Sequence, residues 1–267
     1  MATGRGLGIV TDGLVLCLDA ANKDSYPGSG TTWSDLSGNG NNGTLVNGAS
    51  FAELNGVRVM RCDGTNDRID VPKDLAGFVH NIQYDLNWSI ECWMYTYTFD
   101  SSPQTYKIIY GNYNGCNYNV LPGNAQGLIM YSTTTNPYFN FGYGPRNNPG
   151  GSQCPQVSVS WTGTSISSLI LGFQNNWKHF VLSSYDGTTL SIYVDGEFIE
   201  SKTVAFKNST SQSDNNLTST SNYSFGGEAA GNSANEVDFS MCSIYNRALT
   251  GSEVKRNYNA TKSRFGL

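Results

Sequence analysis

The chain has 267 residues and a formal net charge of −5, with only 14% charged residues against roughly 25% in an ordinary soluble domain, so Asn, Ser, Thr and Gly must carry its surface. That balance gives no electrostatic reason for a nucleic-acid or anionic-membrane partner, and no apolar run approaches the ~20 residues needed to span a bilayer. Hydrophobic residues make up 38%, with 16 Tyr, 12 Phe and 5 Trp, enough for one large β core.

The first twelve residues, MATGRGLGIVTD, lack the apolar stretch of a signal peptide and are expected to form an N-terminal arm. Without an export signal, the cysteines at 17, 62, 92, 116, 154 and 242 are expected as thiols. Cys17, Cys92 and Cys242 lie in apolar strand patterns, whereas Cys116 and Cys154 lie in polar loops and are the one pair considered for a bridge. With two histidines and no CxxC, a zinc site has no basis. Residues 13–18, GLVLCL, read as a buried strand. The Gly/Asn/Ser-dense segment that follows reads as a loop stitched by side-chain to backbone hydrogen bonds, anchored by Trp33 and Leu36.

Strands are expected at Val57–Cys62 and Arg68–Val71, and at Trp88–Tyr95, where Trp88, Ile90, Cys92 and Met94 alternate with Ser89, Glu91, Trp93 and Tyr95. Residues 96–156 are irregular, with short strands at Lys107–Gly111, Gly127–Tyr131 and Tyr138–Tyr143. Further strands are expected at Gln156–Trp161 and Ser168–Phe173.

The stretch NWKHFVLSSYDGTTLSIYVDGEFIE, 176–200, is the most informative. Its runs Trp177–Tyr185 and Thr189–Val194 each end at an Asp-Gly pair, a strong hairpin signal because Gly adopts positive φ freely. Leu190, Ile192 and Val194 share one face of the second run, and Ser191 and Tyr193 share the other. A third strand, Glu197–Phe206, completes a meander that needs a second sheet to bury its apolar face. Residues 207–222 read as an exposed Ser/Thr/Asn loop. Strands return at Tyr223–Gly227 and Glu236–Tyr245. Thr250-Gly251-Ser252-Glu253 is a capping box that starts a helix over about Ser252 to Ala260, with Val254 and Tyr258 on one face. No linker divides the chain. Residues 1–267 are expected as one unit, with 96–156 and 207–222 as long loop insertions.

This order of features resembles the laminin-G-like, concanavalin A-type lectin/glucanase domains of bacteriophage and bacterial surface proteins. The residues that carry it are 13–45, CDGTNDRIDVP at 62–72, WSIECWMY at 88–95, NWKHFVLSSYDGTTLSIYVDG at 176–196 and FSMCSIYNRALTGSEVKRNYNA at 239–260. The resemblance implies an all-β fold: a two-sheet antiparallel jelly-roll sandwich with a short C-terminal helix, the first strand lying near the last. The opening segment is similar to virion components. It implies a non-enzymatic capsid-decoration, head-fibre or tail-associated subunit, assembled in the host cytoplasm in multiple copies. Such a subunit would attach to other virion proteins and to host glycans. The alternatives are a carbohydrate-binding lectin module and a glycoside hydrolase.

Glucanases of this fold carry E-x-D-x-E on a strand, the spacing that puts acid and nucleophile on one face. Here Glu236 and Asp238 are followed by Ser240, so the third carboxylate is missing. The expected arrangement is Phe239, Met241 or Ile244 in the core and Asp238 outward. His179, with no carboxylate partner visible in the sequence, is read as a packed sheet residue. Asp63-Gly64-Thr65-Asn66-Asp67 offers oxygen ligands for a structural calcium ion, and Asp19, Asp24 and Asp35 form a looser second set. Both runs are equally ordinary turn chemistry, and no cofactor is expected. Tyr113, Asn114, Tyr118, Tyr138, Tyr143 and Arg146 could stack on and hydrogen-bond a sugar. The same residue types also serve protein contacts or simple loop packing.

Overall fold

A computed structural model describes residues 8–72, 75, 87–97, 105–111, 124–132, 137–145, 157–185, 187–203, 222–227 and 236–267. The strands are β1 (Leu14–Asp19), β2 (Thr32–Trp33), β3 (Gly43–Val46), β4 (Ser50–Leu54), β5 (Val57–Asp63), β6 (Arg68–Val71), β7 (Trp88–Thr96) and β8 (Thr105–Gly111). They continue with β9 (Asn124–Ser132), β10 (Tyr138–Pro145), β11 (Val157–Trp161), β12 (Trp177–Tyr185), β13 (Thr189–Val194), β14 (Glu197–Thr203), β15 (Tyr223–Phe225) and β16 (Glu236–Tyr245). Among the described residues there are two helices, α1 (Thr164–Leu171) and α2 (Gly251–Thr261), and a 3-10 turn at Lys262–Phe265 follows α2. None is long and apolar enough to cross a membrane.

The strands form two antiparallel sheets. The first has the order β14-β13-β12-β7-β16-β5-β4, with β1 also on β16; the second runs β11-β10-β9-β8-β15-β6-β3-β2. The expected sandwich and the pairing of first strand with last are both present, Cys17 lying opposite Ser243. Period-2 alternation sends Trp88, Ile90, Cys92 and Met94, with Phe180, Leu182, Leu190 and Ile192, into the shared core. They meet Phe139, Phe141, Ile69 and Phe225 from the second sheet. Cys17, Cys62, Cys92 and Cys242 are free and buried. Burial pushes the Cys17 thiol up to about 12, which makes it a poor nucleophile. Cys116 and Cys154 lie outside the described residues.

The Val194–Glu197 turn shows why Asp-Gly stands there. Asp195 and Gly196 have φ of 53° and 77°, the two positive values of a tight hairpin turn. Asp195 Oδ1 accepts from the His179 N–H at 3.1 Å and its Oδ2 from Lys178 Nζ at 2.6 Å. A Cβ on Gly196 would lie 2.9 Å from the Tyr258 ring, so this glycine also admits the C-terminal helix. In the opening loop Trp33 is fully buried. Leu36 is half-buried and tied through its N–H to the Cys17 carbonyl at 2.8 Å. Asp35 and Asn41 stitch the loop to Cys17 and Val15.

The apolar run SSLILGF is a helix and not the expected strand. Ile166 and Ile170, one turn apart, enter the core while Ser168 stays outside. Gly163 at its N-cap makes no side-chain cap, so the usual start signal is missing. Strands β2, β3 and β4, inside or beside the polar loop, were not expected either.

Helix α2 makes a third layer on the outer face of the first sheet. Thr250 Oγ1 accepts from the Glu253 N–H, and the Glu253 carboxylate accepts from the Thr250 N–H at 2.9 Å, completing the capping box. Arg247 grips the same carboxylate at 2.6 and 3.0 Å. Under the helix, Trp93 stacks on Phe265 with centroids 3.9 Å apart and donates through Nε1 to Thr261 Oγ1 at 2.8 Å.

Beside Trp93 is a buried polar knot that corrects the reading of His179. Its Nε2 lies 2.6 Å from Glu91 Oε1, so it does have a carboxylate partner, 88 positions away. Glu91 Oε2 accepts from Asn257 Nδ2 at 2.9 Å and lies 3.2 Å from the Tyr245 hydroxyl. Asn257 Oδ1 in turn accepts from the Val10 N–H at 2.7 Å. The knot therefore joins β7, β12, β16, α2 and the N-terminal arm.

Two outcomes are expected. The Arg247 guanidinium, aided by Thr250, holds the Glu253 carboxyl down at about 2, against an ordinary 4.5. A depressed carboxylate stabilises above its unfolded value and loses that contribution as pH falls through the folded one. Glu253→Gln thus costs about 1–2 kcal/mol at neutral pH, and in chemical denaturation its deficit shrinks steadily between about pH 5 and about pH 2. Glu91→Ala strands three buried polar groups and costs about 3–5 kcal/mol, with amide exchange rising across α2 ahead of the two sheets.

Candidate functional site

The pairing register of β7, β12, β13 and β14 sets Ser89, Ser183, Ser191 and Ser201 in one row across the outer face of the first sheet. The two buried members hold a loop. Ser89 and Ser183 hydroxyls lie 3.0 Å apart, Ser89 Oγ donates to the Arg247 carbonyl at 3.0 Å, and the Leu249 N–H donates to Ser89 Oγ at 2.8 Å. Ser191 is half-exposed and Ser201 exposed. Along the strands the serine row lies between two tyrosine positions, Tyr185 at one end and Tyr193 at the other. Tyr185 is 64% exposed and Phe198 57%, and Phe198 makes an edge contact with Tyr193 at 5.6 Å. Isolated apolar exposure needs no explanation, but here Tyr185 and Tyr193 both border one depression.

That depression is an open cleft of about 520 Å³ between the β12–β13 hairpin and the 246–250 loop. Asn87, Ser183, Ser191, Tyr185 and Tyr193 line it on the sheet side, with Asn246 and Arg247–Thr250 from the loop. Its size falls in the usual range for small-ligand sites. Among the described lining residues Arg247 alone is charged, and its guanidinium is engaged by Glu253 and, at 2.8 Å, by Asp12. These partners, Glu253 first, push its already high pKa further up. Among the described residues, no His, Cys, Asp or Glu lines the cleft. Tyrosine faces, hydroxyls and amides can hold a polyhydroxy ligand by stacking and hydrogen bonding; they offer no carboxylate or imidazole for acid–base work.

Of the sequence-based candidates, only Tyr138 and Tyr143 lie on described backbone. Tyr113, Asn114, Tyr118 and Arg146 lie outside the described residues. Tyr138 and Tyr143 are both on β10, in the second sheet; Tyr138 is half-buried and its phenol pushed up by burial, and the Tyr143 side chain lies outside the described part. The structure therefore does not bring them to the cleft. Tyr185, Ser191 and Tyr193 were missed as site residues although they stand on the outward face of the central hairpin. Their partner loop comes from more than fifty residues further along, which no local pattern reveals.

Asp238 is not outward in the expected sense. It is fully buried, accepting from Arg61 Nε and a terminal guanidinium nitrogen at 2.9 and 2.7 Å and from the Tyr97 hydroxyl at 2.9 Å. Glu236 is exposed, and the Ser240 hydroxyl is buried with no partner. Retaining glycoside hydrolysis needs two accessible carboxyl groups about 5–5.5 Å apart. Asp238, sealed in an ion pair, cannot serve as one of them. A bulge between Phe239 and Met241 sends Phe239 and Ile244 to the core and Met241 under α2.

The carboxylates considered for calcium act in local turns. Asp67 Oδ2 accepts from the Asp63 N–H and Asp63 Oδ1 from the Thr65 N–H. Asp19 pairs with Arg264 at 2.9 Å, Asp35 caps its own loop, and Asp24 is exposed. Among the described residues no three His, Cys, Asp or Glu side chains gather as a metal site requires.

Comparison with known proteins agrees with the fold. No curated protein sequence matches the chain. Among solved structures, the binding domain of Paraclostridial mosquitocidal protein 1 superposes with a TM-score of 0.59 at 19% identity, covering 94% of this chain and 52% of that one. The receptor-binding domain of botulinum neurotoxin C/D mosaic serotype gives 0.59 at 12% identity, with the same coverage. A Trypanosoma rangeli sialidase mutant displaying trans-sialidase activity gives 0.54 at 15%, covering 97% of this chain and 34% of that one. The chain thus spans about half the length of the toxin domains and a third of the sialidase. At these identities the likeness is one of fold. The family model described as the concanavalin A-like lectin/glucanases superfamily, of the laminin-G type, matches residues 63–255, well over half of the chain. On that match and the two-sheet sandwich together, the chain belongs to the concanavalin A-like lectin/glucanases superfamily.

Proposed function

We propose that this chain is a non-catalytic lectin-type domain that holds surface glycans in the cleft between the β12–β13 hairpin and the 246–250 loop. The observation that carries the reading is the serine row between two tyrosine positions, beside an open cleft whose described lining includes Asn87 and Asn246 and no acid–base pair. Pyranose rings have an apolar face that stacks on an aromatic ring and hydroxyls that both donate and accept, as Ser and Asn do. Recognition of this kind needs no metal. Family membership and the similarity in fold to toxin binding domains support it.

These comparisons favour the lectin reading over the virion-structural one. The virion role, with its attachment partners and multicopy assembly, still rests on the resemblance of the opening segment at 13–45. Glycan adhesion would serve either setting.

On a glycan array followed by titration calorimetry, the wild-type chain binds a defined set of oligosaccharides. Tyr185→Ala lowers that affinity at least about tenfold, the scale of one lost aromatic contact, with an unchanged Tm because the ring is mostly exposed. Ser191→Trp, which fills the floor, abolishes binding. A silent array, or full binding by both variants, would refute the assignment.

A further inference from the structure

Resting on the reading of the cleft as a glycan site, we infer that it selects uncharged sugars and rejects acidic ones such as sialic, uronic and sulfated residues. Two positive features border the cleft, and both are already taken by the same carboxylate. The first is the Arg247 guanidinium, which donates to Glu253 Oε2 at 3.0 Å and Oε1 at 2.6 Å while its Nε faces Asp12 Oδ2 at 2.8 Å. One cation thus stands between two carboxylates, and the group as a whole is net negative. The second is the positive end of α2, which opens at Thr250 on the cleft wall. There Glu253 accepts from the Thr250 N–H at 2.9 Å and closes the capping box. A free helix N-terminus or an unpaired arginine would attract an anion; neither is on offer.

The nearby lysines are committed as well. Lys202 pairs with Glu200 on β14, Lys255 with Glu197, and Lys178 with Asp195. The Tyr185 face, 64% exposed, is uncharged. Among the described lining residues a sugar carboxylate would find no unpaired cation, only the net-negative Asp12–Arg247–Glu253 group beside it, whereas a hexose CH₂OH carries no charge for that group to repel. Asp12 is 85% exposed, so its repulsion is modest and screened by salt.

The test uses the full chain and two oligosaccharides that differ only in a terminal hexose or the corresponding hexuronic acid. In calorimetry at low salt, the neutral probe binds at least about fivefold more tightly. That ratio falls toward one as salt is raised over a Debye length of roughly 30 Å to roughly 8 Å. In Asp12→Asn the acidic probe gains severalfold relative to the neutral one. Equal or tighter binding of the acidic probe overturns the inference and leaves the glycan site standing. A ratio that ignores both salt and Asp12→Asn overturns it too, since the preference would then have another cause. If neither probe nor any arrayed glycan binds, the site itself falls, and this inference with it.

Discussion

A carboxylate buried in the middle of a β-sheet must be answered by donors, or the sheet does not form. Glu91 on β7 is such a group, and its partners come from three directions: His179 on β12, Tyr245 on β16 and Asn257 on α2, whose Oδ1 in turn accepts from the Val10 N–H. Removing a charge of this kind from water is tolerable only with several well-placed partners. The requirement therefore dictates that α2 and the N-terminal arm lie on the outer face of the first sheet. Apolar packing alone, through Trp93 and Phe265, would hold a helix there without fixing its register.

The cleft follows from that placement. Because Asn257 and Thr261 pin α2 above Glu91 and Trp93, its N-terminus must emerge near the serine row, and the 246–250 loop must run beside the β12–β13 hairpin. Ser89 and Ser183 then fasten the loop, leaving Ser191 half-exposed and Tyr185 uncovered. Scaffold and site share one row of serines: the inner half is structural and the outer half faces solvent. A rigid sheet under a ligand surface keeps its side chains preorganised, which lowers the entropy lost on binding.

Much of the fold could be read from local patterns. The Asp195-Gly196 turn, the alternation in Trp88–Tyr95 and the Thr250 capping box are each specified by residues within a few positions, and each appears as expected. Short apolar runs are ambiguous, and SSLILGF went to a helix because Ile166 and Ile170 reach the core at helical spacing while no polar cap marks the start. The functional surface was legible only in part. Ser191 and Tyr193 could be assigned to the outward face, yet their meaning depends on Asn87 and Arg247, far away in the chain. Likewise no spacing connects Glu91, in WSIECWMY, to His179 or Asn257. Local rules find elements; polar networks between distant strands need the fold.

The position of β16 has a further consequence, in the order of assembly. This strand pairs with β7 along one edge and with both β5 and β1 along the other, so it is the keystone of the first sheet although nearly all other strands precede it in the chain. Contacts such as Leu18 with Cys242 close loops of more than two hundred residues, and closures of that span slow folding. Until residues 236–245 arrive, β7 and β5 present open edges and an uncovered Glu91. During synthesis the nascent sheet stays divided into two halves, β4–β5 and β7–β12–β13–β14, which merge only when the last strand inserts between them. Protection of those half-sheets from edge-to-edge pairing is a demand that this topology places on the cell, whatever ligand the finished domain holds.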